Sequence, residues 1–149
     1  MARTARQLIH HHRASPNKVL PLGSDFPVEG INPLLGFYAA VSRLSVNGDS
    51  PHGHGGWYVS FMFGFECTFP CALSRYPSER LARAEALKGM TLDAAYASFS
   101  EDTLGSLSIG KKADFVILSR DIMTVPLAEI LGANVTATVI DGEVVYGGL

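Results

Sequence analysis

The spacing of apolar positions changes period along the chain. Val19-Leu20-Pro21-Leu22 is a short apolar run that halts on Gly23-Ser24-Asp25 and turns at Pro27. It predicts a buried strand over Val19–Leu22 with one carboxylate delivered to its C-terminal end. Between Pro33 and Leu44, the residues Leu34, Leu35, Phe37, Tyr38, Val41 and Leu44 recur at helical spacing behind a proline suited to a first turn. Ser78 to Lys88 reads as a second helix, capped by Ser78 and stopped at Gly89, and Leu92 to Phe99 as a third behind a Thr91 cap. Then the pattern becomes that of strands. Ala113–Leu118 is β-branched and aromatic, Pro126–Leu131 is a short helix, and Val135–Ile140 faces Glu143–Tyr146 across Asp141-Gly142. An Asp-Gly pair between such runs predicts a tight hairpin, because both central residues of that turn need positive φ.

With 149 residues, 47% of them hydrophobic and 17% charged, the chain has the composition of a globular protein able to fill a core. A net charge of −2 with scattered Lys and Arg gives no footprint for nucleic acid or an anionic membrane surface. Neither is expected as a partner. The longest apolar stretch, Trp57 to Leu73, is interrupted by Glu66 and Pro70 and does not read as a membrane span. Arg3, Arg6 and His10-His11-His12 break any secretory apolar core at the N-terminus, and the acid-free start leaves an organellar address as a minor alternative. Two cysteines, Cys67 and Cys71, are too few for a disulfide scaffold. A reduced, cytoplasmic setting fits.

Asp25 is the leading candidate for chemistry, as a carboxylate presented at a strand end. Its plainer alternative is a turn carboxylate capping the next loop or helix, common for an Asp near Pro. The Gly23-Ser24-Asp25 turn, the Leu104-Gly105-Ser106-Leu107-Ser108-Ile109-Gly110-Lys111-Lys112-Ala113-Asp114 stretch and the final Asp141-Gly142 hairpin occur in this order. In combination they make the chain resemble the C-terminal end of metal-dependent amidohydrolases, nearest to the amidohydrolase-3 branch. The resemblance implies an α/β fold: the last strand and helices of a (β/α)8 barrel over residues 19–99, and the C-terminal strands of a composite β-sandwich over 100–149. Residues 1–18 would be a polar extension. It also implies a hydrolase of carbon–nitrogen bonds other than peptide bonds, a small-molecule substrate, and a divalent metal, with zinc first among candidates. Asp25 would then be both the proton-moving carboxylate and, with further ligands supplied, a metal ligand. A bound metal brings the pKa of water from 15.7 to about 7 in such enzymes.

The departures from that pattern are as informative. Relatives place a His-x-His pair and mid-barrel ligands well upstream of the Gly-Ser-Asp turn. Here His10 and His12 are separated from Asp25 only by residues 13–24, too few for the intervening strands and crossovers, so the pair reads as a solvated run. His52 and His54 lie in a glycine-rich loop and read as solvent-facing. The chain is therefore expected to be a fragment, inactive alone. A barrel takes about 200 residues or more.

Val59 to Tyr76 carries both cysteines and four of the eight phenylalanines. Without it, Tyr58 meets Pro77 and the family's pattern continues, which suits a translated intron. Pro70 between Cys67 and Cys71 disfavours a shared helix face, and no further ligand is near, so a metal or redox role is not favoured. An exposed aromatic segment of this kind predicts self-association. Asp114 and Asp121 read as local turn or edge caps, and Trp57 and Tyr58 as loop packing. A non-catalytic interaction module or pseudoenzyme fragment is the alternative of a different class, and an unproductive gene model a third.

Overall fold

The computed structural model describes residues 18–27, 30–47 and 80–148. In order these form helices α1 (Pro33–Ser42), α2 (Arg83–Met90) and α3 (Leu92–Ala97), strand β1 (Phe115–Leu118), the single turn α4 (Leu127–Ile130), and strands β2 (Val135–Ile140) and β3 (Glu143–Gly147). The architecture is mixed α/β, with an antiparallel three-stranded sheet in the order β1-β2-β3. No helix among the described residues is long and apolar enough to cross a membrane.

Helix α1 forms where its apolar spacing predicts. Asn32 caps it by accepting the Leu34 N–H, Pro33 occupies the first turn, and Arg43 ends it in the left-handed conformation at φ 61°. Its inner stripe, Leu34, Phe37, Tyr38 and Val41, forms the core with Leu81, Ala86, Ile122, Ile130 and Ala133. Ser42 is buried beside it and is satisfied: its Oγ donates to the Tyr38 carbonyl at 2.7 Å and accepts the Leu44 N–H at 3.0 Å. Arg83 ties the next layer down. Its guanidinium donates to the Ile122 carbonyl at 2.8 Å and the Val125 carbonyl at 2.6 Å, fixing the turn before α4.

Several boundaries differ from the sequence expectation, most by one or two residues. Helix α2 runs through Gly89 to Met90, because Gly89 serves a close approach and not a stop: a Cβ there would lie 2.7 Å from the Leu20 carbonyl oxygen and 2.8 Å from Leu22 Cγ. Ser78 lies outside the described residues; the observed start is Ala82, whose N–H is accepted by Glu85 Oε2 at 2.8 Å, half of a capping box. Helix α3 ends at Ala97 and not Phe99, and Thr91 does not cap it, since its hydroxyl donates back to the Leu87 carbonyl. Residues 19–22 form no β-ladder. Two of their N–H groups bond to the helices instead, Leu20 to the Asp93 carboxylate and Leu22 to the Gly89 carbonyl, both at 2.9 Å.

The sheet forms as predicted, with β2 matching the expected span. Asp141 (φ 55°) and Gly142 (φ 83°) make the two-residue turn, and the stretch before β1 clasps it. Asp114 Oδ1 accepts the Asp141 N–H at 2.7 Å, the Ala113 carbonyl accepts the Gly142 N–H at 3.2 Å, and Lys112 Nζ lies 3.0 Å from Asp141 Oδ2. Only β2 carries buried apolar side chains, Ala137 and Val139; Val144, Val145 and Tyr146 on β3 are exposed. The strands pack on one another, and Leu118 joins the sheet to the helical core.

Candidate functional site

Asp25 opens the turn of residues 25–27 at the end of the docked segment 18–24. It is exposed and holds a left-handed backbone at φ 51°, a conformation that costs an L-residue about 1–2 kcal/mol and that Asp tolerates better than most. Phe26-Pro27 is a cis peptide, and Phe26 is exposed beside it. Among the described residues nothing hydrogen-bonds the Asp25 carboxylate, and residues 28–29 of the loop it would cap lie outside them. An exposed carboxylate on a turn is able to accept a proton from water or a substrate group brought against it.

The segment that leads to this turn is fixed by the junction of α2 and α3. Asp93 Oδ2 accepts the Leu20 N–H at 2.9 Å, and its Oδ1 pairs with Lys88. Lys88 Nζ also donates to the Lys18 carbonyl at 3.0 Å. Asp93 is only 3% exposed, and both of its oxygens are used. Sequence reasoning missed this residue, because an Asp in a first helical turn ordinarily reads as a solvated partner of the helix dipole.

The other flagged aspartates are structural, as expected. Asp114 holds the hairpin turn, and Asp121 accepts the Met123 N–H and the Thr124 hydroxyl, both at 2.9 Å. Lys112 is exposed, and the hydrogen bond and charge of Asp141 raise its pKa above the ordinary lysine value. His10, His12, His52, His54, Cys67, Cys71, Trp57 and Tyr58, with the whole 59–76 stretch, lie outside the described residues.

A zinc-type ion needs about four donors around it. Among the described residues no group of three or more His, Cys, Asp or Glu side chains is placed to hold one, so Asp25 stands without the companions a metal requires. The described residues by themselves do not fit the ion.

Comparison with known proteins gives a consistent picture. Residues 15–146 match the model of the amidohydrolase family. Protein LONG AFTER FAR-RED 3 of Arabidopsis thaliana is 37% identical over 130 residues, which cover 87% of this chain and 18% of that protein. A Bacillus subtilis protein named as an amidohydrolase, YtcJ, is 32% identical over 124 residues, 83% of this chain and 20% of its own length. An imidazolonepropionase of Shewanella baltica is 46% identical over 69 residues, 45% of this chain and 16% of the enzyme. No solved structure matches. The chain spans about a fifth of the length of these relatives. With a match running from before the Asp25 turn to the final hairpin, the chain belongs to the amidohydrolase family.

Proposed function

We propose that this chain supplies the C-terminal share of a hydrolase that cleaves carbon–nitrogen bonds other than peptide bonds in a small molecule. Asp25 is the group that moves the proton: its carboxylate accepts a proton from the attacking water and returns it to the departing nitrogen. The observation that carries this reading is the family match around a Gly23-Ser24-Asp25 turn whose carboxylate is exposed and unengaged among the described residues. In this reading residues 19–99 stand for the last strand and helices of a (β/α)8 barrel, and 100–149 for the C-terminal strands of a composite sandwich. The family generally uses a divalent metal; its other ligands would come from portions of the relatives that these 149 residues do not match. The setting that suits two cysteines is the cytoplasm, and the 59–76 stretch is the expected route of any self-association.

The 149-residue chain alone should show no metal-dependent turnover of cyclic amide or N-acyl substrates above an Asp25→Asn control. Supplied with a barrel portion matching the rest of a relative's length, it should hydrolyse one of them, and Asp25→Asn should then lower kcat by about 10²–10⁴-fold. Equal turnover by the Asn variant would remove Asp25 from the chemistry. Stoichiometric zinc in the purified 149-residue chain would overturn the view that it lacks a metal site of its own.

A further inference from the structure

We propose that Asp93, with Lys88 and Gly89, is a latch that sets the register of residues 18–24 and so positions the Asp25 turn; this rests on the reading of Asp25 as the proton-moving group. The latch addresses alternate residues. The Lys18 carbonyl takes the Lys88 ammonium, the Leu20 N–H goes to Asp93 Oδ2, and the Leu22 N–H goes to the Gly89 carbonyl. The contacts fall at positions 18, 20 and 22, with Lys18 itself in a left-handed conformation at φ 46°, and Pro21, with no N–H to offer, is passed over between them.

Packing alone would not fix this register. Leu20 and Leu22 lie against the core, but apolar contacts are not directional and tolerate sliding. A slip of one residue would shift Asp25 by about 3.3 Å and leave the buried Asp93 carboxylate facing no donor from the segment. Misplacement of a reacting group by about 1 Å already costs on the order of a hundredfold in rate. Only the carboxylate side of the pair is buried, since Lys88 is exposed, so the pair's use is to specify one arrangement over its neighbours rather than to add much stability. The absence of a Cβ at Gly89 allows the approach that brings all three contacts together.

The test uses amide hydrogen exchange and 1H–15N NMR on the 149-residue chain. Asp93→Ala should speed exchange of the Leu20 amide by about tenfold or more and shift the signals of Gly23, Ser24 and Asp25, while the amides of β2 and β3 keep their positions and protection. Asp93→Asn, which retains an acceptor for the Leu20 N–H, should restore most of that protection. If the alanine variant does not fold, Lys88→Met should show the same local pattern at lower amplitude. Unchanged exchange at Leu20, or a loss spread equally over the hairpin, would overturn the latch. Neither outcome bears on whether Asp25 moves a proton, which the turnover of Asp25→Asn decides separately.

Discussion

Gly89→Ala is the substitution whose sign separates local propensity from this structure. In an isolated helix the change would help, since alanine is favoured over glycine by about 1 kcal/mol. Here the added Cβ would sit 2.7 Å from the Leu20 carbonyl oxygen, 2.8 Å from Leu22 Cγ and 3.1 Å from Leu22 Cδ1. The leucine side chain can rotate, but the carbonyl belongs to a backbone held on both sides by hydrogen bonds. Two responses are open to the protein. Keeping the segment in place means overpacking, at about 1–3 kcal/mol. Releasing it forfeits the Leu22 N–H bond to Gly89 and the Leu20 N–H bond to Asp93, about 0.5–1.5 kcal/mol each, and uncovers part of two leucines. Set against the propensity gain, either route leaves a net loss of up to about 2 kcal/mol, and the uncovered leucines add to the second. Thermal unfolding monitored by circular dichroism should record a Tm lower by up to about 8 °C. A Tm equal to or above that of the parent would show that the segment does not dock on α2.

Phe37→Ala, which empties a fully buried position on α1, should cost about 3–5 kcal/mol in urea unfolding. Arg83→Ala leaves the Ile122 and Val125 carbonyls without their guanidinium and should cost about 2–3 kcal/mol in the same assay, with Arg83→Lys recovering little because an ammonium lacks the fork. NMR titration should find the Lys112 ammonium above its ordinary range and Asp141→Asn should return it there. Because the folded-state pKa is the raised one, this pair's stabilisation is present in full below the unfolded lysine pKa and disappears as pH climbs through the folded value. Sequencing of the mature transcript should show the codons for Val59 to Tyr76 spliced out of most messages; their presence in most of them would end the intron reading.

The helices and the hairpin were legible because each rests on local rules. Asn32-Pro33 starts α1, the Leu34–Phe37–Val41 stripe gives it a face, and Asp141-Gly142 leaves β2 and β3 little choice of turn. What escaped was long-range. Gly89 reads as a helix stop until the Leu20–Leu22 segment is seen lying across it, and Asp93 reads as a surface charge until the Leu20 N–H is found on it. An apolar run such as Val19–Leu22 announces burial but not its partner, and the partner proved to be a helix junction in place of a neighbouring strand. Asp25 was legible as a carboxylate on a turn, because Gly23, Ser24 and Pro27 around it are turn-forming residues.

Lys111-Lys112 would ordinarily invite trypsin, yet the loop that carries it is bound to itself. The Lys111 ammonium reaches the carbonyls of Glu101 and Leu104, and the Lys112 N–H donates to the Thr103 carbonyl at 2.9 Å. A protease must pull such a lysine into its own pocket and straighten the bond beside it. Cleavage at this site therefore waits for the loop to open, so its rate in dilute trypsin is a direct gauge of how often residues 100–112 part from their own carbonyls.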